Sequence, residues 1–326
     1  MKAIQVHEKG GSEVLEINNN VDSPVIRDNE ILIDNHFAGI NFIDIYFREG
    51  VYPVERHPYT PGKEGSGVVV GAGTAVNRFK KGDRVAYPFA GTGSYAEYTA
   101  APEQNVVKLP DDVSLDIGAA AMLQGLTAHY LSNSSYSIQE NDHVLVHAAA
   151  GGVGLLLVQM LKAKGAKVFG TVSTTAKKEL ALKAGADEVI IYEDHLFEEQ
   201  LMELTDGKKV DVVYDSVGKL TFDQSLIVTR PRGTVVLFGQ SSGVVPPFDL
   251  NRLNTSGSLF ITRPSLGHYI ASVEELDKRS SDIFTMVSNN KLDFHIGKTY
   301  LLDDVARAHD DLVARKTSGK LLLQIK

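Results

Sequence analysis

Two periodicities alternate along the middle of the chain. Residues 143–148 (HVLVHA) make a short Val-rich apolar run, the pattern of a strand buried on both faces of a parallel sheet. Glycines follow, and residues 153–164 then carry apolar side chains at helical spacing as far as Gly165, a C-terminal stop. The alternation continues with a strand over 167–172, a helix over 175–184 closed by Gly185, a strand over 188–192 and a helix over 195–204. Further strands are predicted at 210–214, 234–238 and 259–262. Strands alternating with helices in this way predict an α/β class with a doubly wound parallel sheet.

The flanks have a different rhythm. Short strand candidates at 2–6, 30–37, 67–70, 84–87, 95–99 and 106–108 are separated by Gly, Pro and Asn, which predicts a mainly β domain. After Pro264 come a helix over 270–288, a strand near 298–302, a helix over 305–314 and a last strand over 320–325. A strand at the end of the chain needs a sheet to join, and the N-terminal β region is the expected host. The α/β unit, 126–266, is therefore expected as an insert in an outer domain made of 1–125 and 267–326.

Composition narrows the chemistry. The 326 residues give room for two domains. Cysteine is absent, which excludes disulfides, thiolate nucleophiles and thiolate metal sites. Lys plus Arg number 33 against 41 Asp plus Glu, a balance that argues against an extended nucleic-acid surface. The first residues, MKAIQVHEKG, lack the apolar core of a signal peptide. The apolar stretch 153–161 is broken by Gln159 and followed by Lys162, too short for a membrane span. A cytoplasmic protein is expected.

Ala149, Gly151 and Gly154 have A-x-G-x-x-G spacing between a strand and a helix. Dinucleotide binding needs small residues there, because the chain turns sharply, its backbone approaches a pyrophosphate, and helix packs closely on strand. The helix N-terminus then offers free N–H groups to the anion. An NAD site places an acidic residue about 20 positions further on. Here no Asp or Glu occurs between Ala166 and Lys178, whereas Ser173, Thr174, Lys177 and Lys178 do. Hydroxyls and a lysine suit a ribose phosphate, so NADPH is the expected cofactor.

The segments HAAAGGVGLLLVQMLKAKGAKVFGTVST, VVYDSVG and ITRPSL resemble the quinone oxidoreductases, the zeta-crystallin-like branch of the medium-chain dehydrogenase/reductase superfamily. AGINFIDIYFREGVYP, PGKEGSGVVVGAG, KKGDRV and LQGLTAHYL extend the likeness along nearly the whole chain. The resemblance implies a Rossmann domain inserted in a GroES-like catalytic domain, with the cofactor in the cleft, and a homodimer joined through the Rossmann domains. It places Asn41, Phe42, Ile43 and Tyr46 near the nicotinamide, Thr127 and Tyr130 among the cofactor-binding residues, and Gly152 and Val153 along the pyrophosphate. Ser173, Thr174 and Lys177 are expected at the 2′-phosphate and Tyr192 at the adenine end. Ser216, the run Phe238, Gly239, Gln240 and Ser241, and then Ile261, Thr262 and Arg263 would complete the nicotinamide side. Outside those motifs, Phe42, Tyr46 and Tyr192 would read as core aromatics, and Asn41 as the cap of a helix starting at Phe42.

Zinc-dependent members of the superfamily carry Cys and His where this chain has Asn41 and Lys63. The ten histidines include no H-x-x-H or H-E-x-x-H pair, so no zinc is expected. Gln124 stands where members often have Lys, which removes any expected role for a lysine there. The resemblance implies a quinone substrate, which accepts hydride without a Lewis acid because it becomes aromatic. Asn41, Tyr46 and Tyr52 are the candidate donors to the developing oxyanion. Reduction of an activated C=C bond in an enal, enone or enoyl thioester is the rival reaction. A non-catalytic NADPH- or RNA-binding role is the third reading.

Overall fold

The computed structural model describes residues 1–192 and 197–326. The helix expected over 195–204 therefore begins outside the described residues, and its described part is Glu198–Leu204. Backbone contacts divide the chain into two compact units, Thr127–Tyr269 and a discontinuous one made of Met1–Leu126 with Ile270–Lys326.

The inner unit holds six strands: His143–Val146, Lys167–Val172, Glu188–Ile191, Val210–Asp215, Thr229–Leu237 and Phe260–Thr262. In space they run third, second, first, fourth, fifth, sixth, and every neighbouring pair is parallel. The order reverses between the first and fourth strands, the switch point at which doubly wound sheets receive ligands beyond their C-terminal ends. Leu145, Phe169, Val213 and Val235 are fully buried, so these strands read as unbroken apolar runs, without alternation. Thr229–Leu237 starts earlier than its apolar pattern, taking in Arg230, Pro231, Arg232 and Gly233. A register shift against Val210–Val212 lets that breaker-rich start join the ladder.

The outer unit is built on a seven-stranded sheet. Its path runs Ile296–Leu301, Lys320–Gln324, Glu30–Ile40, Glu64–Ala72, Arg84–Pro88 and Val107–Lys108, and Tyr98–Pro102 also pairs with Glu30–Ile40. The last strand lies antiparallel to Glu30–Ile40 and parallel to Ile296–Leu301, so it has a partner on each side. Leu321, Leu322 and Leu323 are all buried, which explains the run of three leucines.

Residues 115–135 contain helical segments that hydrophobic periodicity does not reveal. Leu115–Ala120 and Leu126–Tyr130 are α-helical, while Ala121–Gly125 and Leu131–Ser135 are π-helical. The run from Gly118 to Met122 is buried throughout, so this sequence of small and apolar residues has no polar face to mark a helical period. The seven-residue helix Phe222–Val228 also lies outside the predicted set. Among the described residues no helix is long and apolar enough to cross a membrane.

Closure of the sheet by its C-terminal strand gives a stability prediction. Leu322→Ala removes a side chain with no exposure and is expected to cost about 2–5 kcal/mol in denaturant unfolding. A loss below about 1 kcal/mol, the range of an exposed site, would show that this strand does not carry the core.

Candidate active site

Strand Glu30–Ile40 delivers the chain to helix Phe42–Arg48, and Asn41 between them has extended N-cap geometry, φ −143° and ψ 157°. Its backbone N–H donates to an Asp44 carboxylate oxygen at 2.9 Å, so the expected helix cap is real. The Asn41 side chain has further partners. Nδ2 donates to Glu64 Oε1 at 2.6 Å, and Oδ1 accepts from Lys320 Nζ at 3.1 Å and Gln124 Nε2 at 3.2 Å. Lys320 also donates to Glu64 Oε1 and to the carbonyl of Ile40 at 3.2 Å.

Glu64 is fully buried and Lys320 is 2% exposed, so this ion pair is removed from water. Local backbone features make room for it. A Cβ at position 39 would collide with the Glu64 carboxylate, which accounts for Gly39. The π-helical turn Ala121–Gly125 offers the Leu123 N–H to Glu64 Oε2 at 2.5 Å. Such turns leave backbone groups outside the regular helical ladder and recur at functional sites. Lys320 and Glu64 are site residues that the sequence reading missed. The available signal was a single charged residue heading the three leucines of strand KLLLQ.

Phe42, Ile43 and Tyr46 are half-buried on the helix, in contrast to the buried Asp44, Ile45 and Arg48. The rings of Phe42 and Tyr46 lie 6.2 Å apart, as expected of an i, i+4 pair, and Tyr46 meets Tyr52 edge to face at 5.5 Å. Tyr52 sits in a turn whose N–H bonds the Tyr46 carbonyl. The Lys63 ammonium lies 4.2 Å over the Phe47 ring, and burial holds it below its usual range while Asp44 opposes that shift.

Behind Asn41 a chain of hydrogen bonds has a fixed direction. Arg48 can only donate, so its 3.2 Å contact to His309 Nδ1 makes that nitrogen an acceptor and leaves the proton on Nε2. Burial, reinforced by Arg48, pushes the His309 imidazolium down to about 3 and keeps the ring neutral. His309 Nε2 then donates to Tyr95 Oη at 3.3 Å, and Tyr95 donates to Asp44 Oδ2 at 3.1 Å. Burial raises Asp44 to about 7, opposed by the Asn41 N–H and by Lys63 and Lys320.

In the inner unit, Gly151 caps helix Gly152–Lys162 immediately after strand His143–Val146 and a tight turn. Ala148 holds φ 51° in that turn, a left-handed conformation that non-glycine residues rarely take and that clusters at functional sites. A Cβ at Gly154 would strike the Ala148 carbonyl, so the third small position is set by helix–turn packing. Gly152 and Val153 form the first turn of the helix, where N–H groups have no intrahelical partner. Ser173 and Thr174 are exposed at the end of the neighbouring strand, and Thr174 caps helix Thr175–Lys183 through the Lys177 N–H. The Tyr192 N–H bonds the Val172 carbonyl, which brings this residue to the same edge.

Ser216 and the loop after Thr229–Leu237 are also brought together. The Phe238 N–H bonds the Asp215 carbonyl, the Ser241 N–H bonds the Ser216 carbonyl, and a Cβ at Gly239 would overlap the Ser216 backbone. Asp215, fully buried, anchors this turn by accepting from the N–H groups of Val217 and Gly218 and the hydroxyls of Thr221 and Ser225. Ser225 also meets His147 Nε2 at 3.1 Å. Ser225, His147 and Asp215 have no exposure, so the trio locks loops and cannot serve as a hydrolytic triad. Ile261 and Thr262 lie on the sixth strand, followed by Arg263, while Tyr130 stacks on Tyr269 at 4.3 Å. Thr127 is 8% exposed, one turn before Tyr130.

The donor set at Asn41 does not suit zinc. Glu64 and Asn41 Oδ1 already hold an ammonium, and no cluster of three His, Cys, Asp or Glu able to bind a metal occurs among the described residues. The glycine turn, hydroxyls and helix ends of the inner unit do suit a dinucleotide.

Comparison with known proteins extends this geometry. Residues 27–111 match the family model for the alcohol dehydrogenase GroES-like domain, and residues 152–276 that for zinc-binding dehydrogenase. The chain is 42% identical over 323 residues to a quinone oxidoreductase of Pseudomonas aeruginosa, covering 99% of each. It is 38% identical over 330 residues to a 2-haloacrylate reductase of a Burkholderia species, covering 98% of each. The crystal structure of Escherichia coli quinone oxidoreductase complexed with NADPH superposes with a TM-score of 0.97 at 42% identity, covering 100% of both chains.

The raised Asp44 value has a testable sign. A folded value near 7, above the ordinary 3.8, means that the native state holds this proton more tightly. The stability so conferred is present at acid pH and falls as pH rises from about 4 to about 7, by at most about 1.4 kcal/mol per pH unit. Thermal unfolding of Asp44→Asn beside the unsubstituted protein is expected to show the variant gaining relative stability between pH 5 and pH 8. A gap independent of pH, or one moving the other way, would refute the shift.

Proposed function

This chain belongs to the quinone oxidoreductase branch of the medium-chain dehydrogenase/reductase superfamily, and on that premise we propose that it is an NADPH-dependent quinone reductase that works without zinc. The observation that carries the reading is end-to-end likeness to quinone oxidoreductases at more than 40% identity, one of them solved with NADPH. The Rossmann turn at Gly151–Gly154 and the hydroxyl- and lysine-bearing edge at Ser173, Thr174 and Lys177 support the cofactor assignment.

When bound, NADPH supplies a hydride, two electrons with one hydrogen. The quinone takes it and becomes a hydroquinone monoanion, which gains one proton from water. Residues of the outer unit orient the acceptor, exclude water and meet the charge that grows on its oxygen. Asn41 is the assigned donor, because its side-chain carbonyl is saturated and its Nδ2 retains a second hydrogen. Tyr46 and Tyr52 would line the acceptor, and Phe42 and Ile43 would pack beside it. The nicotinamide would be flanked by Thr127, Tyr130, Ser216, the run Phe238, Gly239, Gln240 and Ser241, and Ile261, Thr262 and Arg263. Gly152 and Val153 would meet the pyrophosphate and Tyr192 the adenine. Likeness to a 2-haloacrylate reductase favours activated C=C bonds as a second acceptor class, since conjugate addition of hydride is electronically similar.

A homodimer through the inner units belongs to the same reading. Phe260–Thr262 forms one edge of the parallel sheet, and Phe260 there is 64% exposed, an apolar edge suited to a second copy. The domain limits 1–125 with 267–326 and 126–266, and a cytoplasmic setting, complete the proposal.

Steady-state NADPH oxidation with 1,4-benzoquinone and 9,10-phenanthrenequinone, against 2-alkenals and a crotonyl thioester, tests the acceptor class. Quinone turnover is expected; enal turnover with none of any quinone would transfer the assignment to C=C reduction. In the same assay Lys177→Ala is expected to raise KM for NADPH about tenfold, worth about 1.4 kcal/mol, and to leave KM for NADH nearly unchanged. Equal effects on both cofactors would remove Lys177 from the 2′-phosphate.

A further inference from the structure

We propose that the buried Lys320–Glu64 pair is a positioning device for the Asn41 amide, so that Lys320 promotes turnover through Asn41 without touching the acceptor. The inference rests on the assignment of Asn41 as the oxyanion donor.

The argument is one of donors and acceptors. An ammonium only donates and a carboxylate only accepts, whereas an amide has one end of each kind. Lys320 faces Asn41 Oδ1, and Glu64 Oε1 faces Nδ2. Rotating the amide by half a turn would set its NH2 against the ammonium and its oxygen against the carboxylate, two repulsive contacts where there were two bonds. Only one orientation therefore satisfies the pair.

At Lys320 the network is closed. The three ammonium hydrogens of Lys320 have three acceptors: the Ile40 carbonyl, Asn41 Oδ1 and Glu64 Oε1. Lys320 is thus fully committed and has no spare hydrogen-bonding capacity toward a substrate. Glu64 Oε1 takes Asn41 and Lys320, and Oε2 takes the Leu123 N–H. Gln124 Nε2 fills the second lone pair of Asn41 Oδ1. What stays uncommitted at Asn41 is one Nδ2 hydrogen, held in a fixed direction by everything around it. A donor fixed before the charge develops needs no reorganisation when it does.

A purely structural staple makes a different forecast. Lys320 and Glu64 lie on strands to either side of Glu30–Ile40, so their bond must also help hold the sheet. A staple alone would affect folding without dependence on Asn41. A double-mutant cycle in quinone reduction separates the two. Asn41→Ala is expected to lower kcat about 100-fold. Lys320→Met alone should lower kcat tenfold or more, as roughly expected of a mispositioned group, with KM for quinone and NADPH binding held within about twofold. In the Asn41→Ala background, Lys320→Met should change kcat by less than about twofold.

If Lys320→Met yields no folded protein, by circular dichroism and NADPH binding, the cycle is run with Gln124→Leu. That change removes the other donor to Oδ1 and is expected to give a smaller loss that also vanishes without Asn41. The same fractional loss with and without Asn41, or no loss in a folded variant, would overturn the inference while leaving the quinone-reductase reading intact. An Asn41→Ala enzyme as fast as the parent would instead remove the underlying donor assignment, and the inference with it.

Discussion

A lysine ammonium and a glutamate carboxylate taken out of water must be paired and hydrogen-bonded, and here all three ammonium hydrogens and both carboxylate oxygens are engaged. Much of the outer unit's local irregularity follows from this requirement. Strand Glu30–Ile40 ends by giving the Ile40 carbonyl to the ammonium, and Gly39 leaves space for the carboxylate. The π-helical turn turns one N–H toward Glu64, and the last strand starts with Lys320. Asn41 ties the pair to the helix that carries Phe42, Ile43 and Tyr46. Removing one ion alone would strand the other, a loss of about 3–5 kcal/mol for buried pairs.

The inner unit meets its own version of the constraint at Asp215. Its carboxylate is saturated by two backbone N–H groups and two hydroxyls, which pins the turn bearing Ser216 against the loop bearing Phe238 and Gly239. Both buried carboxylates therefore serve as anchors, Glu64 for the Asn41 side chain and Asp215 for the turn bearing Ser216. Asp44 is the exception, because one of its oxygens has no partner and burial lifts it to about 7.

Legibility in the sequence followed physical lines. The parallel strands were readable because burial on both faces makes them continuous apolar runs between glycine stops. The dinucleotide turn was readable because Gly151 and Gly154 are demanded by close backbone approach. The segments within 115–135 were hidden since burial on all sides erases amphipathic period. The Lys320–Glu64–Asn41 node was hidden for another reason: 64 and 320 are brought together only by the antiparallel closure of the sheet, and nothing local in either segment announces the partner. Asn41 and Lys63 stand where zinc-dependent members carry Cys and His, but neither segment points to the ammonium that engages Asn41 and Glu64.

The proposed zinc independence goes with an internal ammonium that holds Asn41 and Glu64 in place. It is tested most directly by the rate of NADPH-dependent quinone reduction after exhaustive chelation, measured together with the protein's metal content. An unchanged rate in protein free of zinc is expected. A rate lost on chelation and restored by added zinc would contradict it.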